Sequence, residues 1–254
     1  MSATLARAAG VAAALSLAAG LAQANATYDA FVDIAGAAAT DGFNDLTSSR
    51  LGAGATGTSK LVAGIASNVA GSDGGAVLKR LSGTYYPASF GLYSYSSDSA
   101  FGINVASAVA ALSSVTLQSF VSVDTSQGVT GLSSAAYLPT LSYNGGTQRL
   151  AAVYTLTPVS GGYDIDGTPL TANPNNPNYG VFSWDLSSVT TPITSFNVNF
   201  GITQHANVLA FQLDQVAAVP EPGSYAFAAL GLAACGWGAW RRRQARAVPE
   251  GAGT

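Results

Sequence analysis

An antiparallel β-sandwich, with the jelly-roll as one form of it, is the fold that this sequence predicts. Three observations carry the prediction. The 254 residues are 48% hydrophobic but only 9% charged, and 29 glycines break them into short segments. That is the composition of a turn-rich all-β chain rather than of a helical one. The apolar residues alternate in short runs bounded by Gly, Asn, Asp and Pro. No βαβ rhythm and no repeat of fixed period competes with that reading.

Met1 to Ala24 reads as a secretory signal peptide. Arg7 supplies the positive start, Ala8 to Leu21 the apolar stretch, and Ala22-Gln23-Ala24 a small-x-small cleavage site. Cleavage after Ala24 is expected, with Ala24-Asn25-Ala26 as the second choice. Tyr28 to Ile34 alternates with period two and predicts a first strand. Gly36 to Gly57 has no clear period and reads as a loop, with a short helical turn capped by Asp45. Leu61 to Val69 is ambiguous between helix and strand. Gly71-Ser72-Asp73-Gly74-Gly75 is a turn and Ala76 to Leu81 a strand.

Thr84 to Tyr95 is the most aromatic stretch, and Pro87 keeps it from an interior strand position. Phe90 to Tyr95 reads as a strand with Tyr93 and Tyr95 on one face. Gly102 to Leu112 reads as a strand followed by a helical turn, and Val115 to Val123 as a strand with a bulge. Tyr137 to Tyr143, the turn Asn144-Gly145-Gly146 and Gln148 to Leu156 give the clearest hairpin signal, because Asn-Gly supplies the positive φ of a tight turn. Pro158 to Tyr179 is a long loop. Tyr179 to Leu186 is a strand carrying Trp184, read as a core residue. Ile193 to Ile202 alternates strictly, with Phe196, Val198, Phe200 and Ile202 inward. Asn207 to Val216 sets Leu209, Phe211 and Leu213 against Gln212 and Asp214. These two are expected to be neighbouring antiparallel strands joined around His205.

The last stretch has three parts in series. Val219-Pro220-Glu221-Pro222-Gly223 is rigid and polar, Tyr225 to Trp240 is 16 residues without a charge, and Arg241-Arg242-Arg243 is a cluster of positive charge. At about 1.5 Å per helical residue the apolar run spans roughly 24 Å, a little short of a bilayer core of about 30 Å. Gly223, Ser224 and the arginine stems can lengthen it. Tyr225 at one end and Trp237 and Trp240 at the other suit the two interfaces, and the arginines are expected to stay cytoplasmic. Cys235, the one cysteine, lies within this run and reads as a small apolar filler.

This tripartite end resembles the PEP-CTERM sorting signal of exopolysaccharide-producing Gram-negative bacteria. The resemblance rests on Val219, Pro220, Glu221 and Pro222, on the following helix, and on Arg241, Arg242 and Arg243. It implies a partner, an exosortase-type membrane transpeptidase that recognises the motif and removes the tail. It also implies a final place in the cell envelope or outside the cell. Gln244 to Thr254 follows the arginines, and its Val248-Pro249-Glu250 has no apolar run behind it. The pattern from Trp184-Asp185-Leu186 to Phe211-Gln212-Leu213-Asp214 resembles passenger domains of other PEP-CTERM proteins, several of them similar to carbohydrate-binding modules. The expected organisation is a signal peptide at 1–24 and an exported sandwich at 25–218. A sorting segment follows at 219–243, with its motif at 219–223, helix at 224–240 and arginines at 241–243, and then a cytoplasmic tail at 244–254.

Between residues 25 and 219 there are five basic and eleven acidic residues, a net charge of −6. With no basic stripe, nucleic acid is not an expected partner. The exported part holds no cysteine and therefore no disulfide. Its one histidine, His205, has no Gly-x-Ser-x-Gly elbow to work with, and one His without Cys does not suggest zinc. The eleven acids are all Asp, and none is distinguished as a glycosidase pair. The expectation is a non-enzymatic protein without a cofactor. Asp164-Ile165-Asp166-Gly167 resembles the start of a calcium loop, but an Asp-Gly turn is the simpler reading. Tyr85, Tyr86, Tyr93 and Tyr95 offer a candidate platform for exopolysaccharide rings, against the plainer reading that they fill a core.

Overall fold

The computed structural model describes residues 31, 34–52, 60–123, 137–161 and 167–218. Among them, thirteen strands pair only in the antiparallel sense. One sheet, A, runs β10 (Val153–Thr157), β11 (Tyr179–Asp185), β7 (Leu112–Val123), β13 (Ala206–Ala217), β5 (Leu92–Ser94) and β4 (Tyr85–Pro87). β1 (Ala37–Phe43) also joins it on β13. The other, B, runs β2 (Ile65–Ala66), β3 (Ala76–Ser82), β6 (Ser99–Val105), β12 (Phe196–Ile202), β8 (Thr140–Tyr143) and β9 (Leu150–Ala151).

The two sheets share one core. Phe101 on β6 stacks on Phe200 on β12, with centroids 6.0 Å apart, and Phe200 meets Phe211 on β13 at 4.8 Å. Leu78, Ile103, Val198, Val115, Leu117, Phe182 and Leu213 close around them, all essentially buried. Trp184 lies in this core as its alternation predicts, and donates its indole N–H to the Leu150 carbonyl at 2.9 Å. With no disulfide among the described residues, this burial and the ladders hold the domain.

Several expectations need correction. The stretch read as a loop after Gly36 contains the strand β1. Ala37-Ala38-Ala39 has little strand preference of its own, and the long edge of β13 imposes the conformation through its ladder. The free edge of β1 is then closed by the segment 68–73. Asp73 accepts from the Thr40 N–H at 2.7 Å, Ser72 Oγ from the Gly42 N–H at 3.0 Å, and Asn68 donates to the Gly42 carbonyl at 2.8 Å. The strand expected at Tyr28 to Ile34 lies mostly outside the described residues, and neither Phe31 nor Ile34 is in a strand. The helical turn is present at Ser48–Leu51, but Thr47 precedes it, and Asp45 instead accepts from the Thr47 hydroxyl at 2.7 Å. Leu61 to Val69 resolves into a 3-10 turn, Lys60–Val62, and the short strand β2. No helical turn follows β6.

The hairpin at Asn144-Gly145 forms, with φ of +51° and +68°. Its second arm does not stay in one sheet, however. β9 pairs with β8 in sheet B, and after Ala152 the chain enters sheet A as β10. β12 and β13 are likewise not neighbours. The turn at His205, with φ of +63°, carries the chain from sheet B into sheet A, where β13 pairs with β7, β5 and β1. A register shift between Val208 and Ala210 then reverses the expected facing of Leu209, which joins a second cluster with Phe120 and Ala210 on the outer face of sheet A.

Candidate functional site

The outer face of sheet A is where polar and aromatic side chains converge, because it is covered as well as the inner one. Phe31, Phe90, Val159 and Leu170, none of them in a strand, pack over Phe120, Leu209 and Ala210, with Tyr179 of β11 beside them in the sheet. Beside this lid lies a buried polar network. Asp214 is 1% exposed and accepts from Thr40 Oγ1 at 2.8 Å, from Gln118 Nε2 at 3.2 Å, and from Gln212 Nε2 at 3.2 and 3.3 Å. Tyr179 donates in turn to Gln118 Oε1. Its hydrogen bonds tie β1, β13, β7 and β11 together, and a fully paired network of this kind fixes register.

At the β4–β5 end of the same face lies a tyrosine cluster. Tyr86 and Tyr93 are directly opposed across β4 and β5, with ring centroids 5.7 Å apart and planes at 77°. Tyr95 stands 6.3 Å from Tyr86 and 6.2 Å from Tyr93. The rings meet edge-on or tilted, so they form a corner rather than a flat platform. Tyr95 is 61% exposed, Tyr86 half-buried and Tyr93 buried. Tyr85 takes no part in this corner. It is wholly buried, packs edge-on against Phe101 at 5.1 Å and lies under the Arg80 guanidinium, because alternation turns it to the opposite face from Tyr86.

His205 closes the corner. Its Nδ1 is 2.8 Å from the Tyr93 hydroxyl, and its backbone N–H donates to the Ser94 carbonyl at 2.7 Å. His205 is thus a hydrogen-bonded turn histidine, with a phenol as its partner. Gln204 beside it donates its N–H to Asp98 Oδ1 at 2.8 Å and its side-chain amide to the Tyr95 carbonyl at 3.1 Å. Asn207, on the next strand, belongs to this corner too. Nothing in the local pattern of Gln204-His205-Ala206-Asn207 distinguishes it from an ordinary strand-start asparagine.

Asp164, Asp166, Cys235 and the whole of Val219 to Arg243 lie outside the described residues. Among the described residues no group of three His, Cys, Asp or Glu could hold a metal ion. No helix among them is long and apolar enough to cross a membrane.

Fold and corner together define an antiparallel two-sheet domain followed at once by a distinct C-terminal unit, Ala218–Thr254. Residues 218–243 match the model of the PEP-CTERM protein-sorting motif. The chain carries a PEP-CTERM sorting motif, which points to export and to processing at the membrane by the exosortase pathway. No curated protein and no solved structure matches it.

Proposed function

We propose that this is a non-enzymatic protein of the cell envelope or extracellular matrix of a Gram-negative bacterium. An exosortase-type transpeptidase recognises Val219-Pro220-Glu221-Pro222 and removes the tail that carries Arg241 to Arg243. The observation that carries the reading is the motif match at 218–243, one residue after the end of β13 at Ala217. The folded domain thus runs directly into its sorting signal.

Intact mass of the protein from culture medium and from membranes tests this. The expected species in the medium starts near Asn25 and ends near Pro220. With Pro220→Ala and Pro222→Ala together, the expected species stays in membranes and keeps Arg241 to Arg243. Normal secretion and trimming of that variant would sink the reading.

A second reading is a carbohydrate-binding module for the cell's own exopolysaccharide. The tyrosine corner favours it, with Tyr95 exposed beside the half-buried Tyr86 and polar groups of Gln204 and His205 at hand.

A further inference from the structure

Asn207 is 1% exposed, yet neither its Oδ1 nor its Nδ2 has a hydrogen-bond partner. No other described residue leaves two buried side-chain atoms so. Buried amides are rarely left unpaired, and one that is points to a missing partner. Its position says where that partner would come from. Asn207 is opposed to Tyr93 on β5, and Tyr93 to Tyr86 on β4. Directly opposed residues of antiparallel strands share a face, so the three form one row across the outer face of sheet A. A Cβ at Gly91 would stand 2.6 Å from Asn207 Oδ1. The carboxamide therefore lies over the bare backbone of Gly91, the residue just before β5 and two before Tyr93, in space that only glycine leaves.

The chemistry of the row selects a ligand class. A carboxamide sets one acceptor beside two donors, which matches two adjacent hydroxyls. The tyrosines supply apolar faces with polar edges. Among the described residues, the one carboxylate bonded into the corner is that of Asp98, and its Oδ1 already accepts from the Gln204 N–H. That favours a neutral ligand.

We propose that this row is a binding site for a neutral hexose polymer. Tyr95 and Tyr86 receive the apolar face of a sugar ring, and Asn207 takes two adjacent ring hydroxyls. Tyr93 stands between the carboxamide and the open end of the row, so its ring must turn aside to admit the sugar. The inference rests on the second reading above and adds to it the residue that reads the hydroxyls.

The test uses the protein purified from producing cells, run by affinity electrophoresis through gels containing mannan, galactan or dextran. The wild type should be retarded by at least one of them. Asn207→Leu keeps the size of the side chain and removes its hydrogen bonds. It should bind about tenfold more weakly or worse, with a urea midpoint equal to or above that of the wild type. Tyr95→Ala, at an exposed position, should cost a similar factor. Should Asn207→Leu not fold, Asn207→Ser takes its place with the same expected loss. Undiminished binding by either variant at Asn207, or by Tyr95→Ala, overturns the inference and leaves the carbohydrate reading standing. No retardation of the wild type by any of the three polymers overturns both.

Discussion

β12 and β13 follow one another in the chain and bury themselves in different ways. β12 alternates strictly: Phe196, Val198, Phe200 and Ile202 are buried, and the residues between them are partly exposed. β13 is buried over ten successive residues, Ala206 to Gln215. The cause is architectural. Sheet B has one face on the core, whereas sheet A has a core on one face and a lid of loop residues on the other. The inner face of sheet A is mostly apolar, with Asp41, Ser94, Ser119 and Gln215 as its buried polar positions, while its outer face carries Gln118, Gln212, Asp214, Asn207, Tyr86 and Tyr93. Burial alone therefore does not define the core of this protein. One buried face is held by packing and the other largely by hydrogen bonds.

The largest expected effect comes from the packed face. Phe211 is fully buried and 4.8 Å from Phe200 across the two sheets. Phe211→Ala removes a ring from the centre of the core and should cost about 4 kcal/mol, lost transfer energy and cavity together. Urea unfolding followed by tryptophan fluorescence measures it. A loss below about 1 kcal/mol would mean that the sheets repack freely and that the inner face is not the main source of stability.

The networked face should respond almost as strongly, for a different reason. Asp214→Ala leaves the Thr40 hydroxyl and the Gln118 and Gln212 amides buried without their acceptor. The expected loss is about 3 kcal/mol. Asp214→Asn keeps an acceptor oxygen and should recover part of it. If both variants unfold like the wild type, water replaces the carboxylate, and the outer face is not the sealed layer that its burial indicates.

The same contrast decides what was legible. The core positions of β12, the Trp184 core role and the Asn144-Gly145 turn follow from period and turn chemistry, because one wet face makes alternation visible. The pattern sets Gln212 and Asp214 opposite the apolar residues and says no more, since a polar residue under a lid has the same pattern as one in water. Alternation groups Leu209 with Phe211 and Leu213, but a bulge at Val208/Ala210 shifts the period by one residue and leaves no mark in composition. β1 was missed because its partner, not its own residues, makes it a strand. The sorting motif was fully legible, because its recognition depends on the order of three short segments and not on a fold. Of the tyrosine corner, Tyr86, Tyr93 and Tyr95 were visible by clustering. Asn207 was not, because its distinction is a pair of missing hydrogen bonds.

The smallest expected effect sits where the two kinds of face mix. Tyr137 is buried between Phe182 and Phe200, on the otherwise dry inner face, and neither its hydroxyl nor that of Ser119 has a hydrogen bond of standard geometry. Burial pushes the phenol well above its ordinary value of 10.0, and the neighbouring Ser119 hydroxyl offsets only part of that. The folded state therefore keeps this proton when the unfolded chain has begun to lose it. The stability involved is fully present below pH 10 and falls as the pH rises beyond it, because the unfolded state then binds fewer protons than the folded one. At neutral pH, Tyr137→Phe should change stability by about 1 kcal/mol or less, and upward if anything, since it removes a buried orphan. Its signature lies at high pH. Between neutrality and about pH 10.5 the urea midpoint should fall less in Tyr137→Phe than in the wild type. The other tyrosines titrate equally in both proteins, so the difference between the two falls isolates Tyr137. Equal falls would mean that water reaches the phenol, and that the inner face is no drier than the outer one.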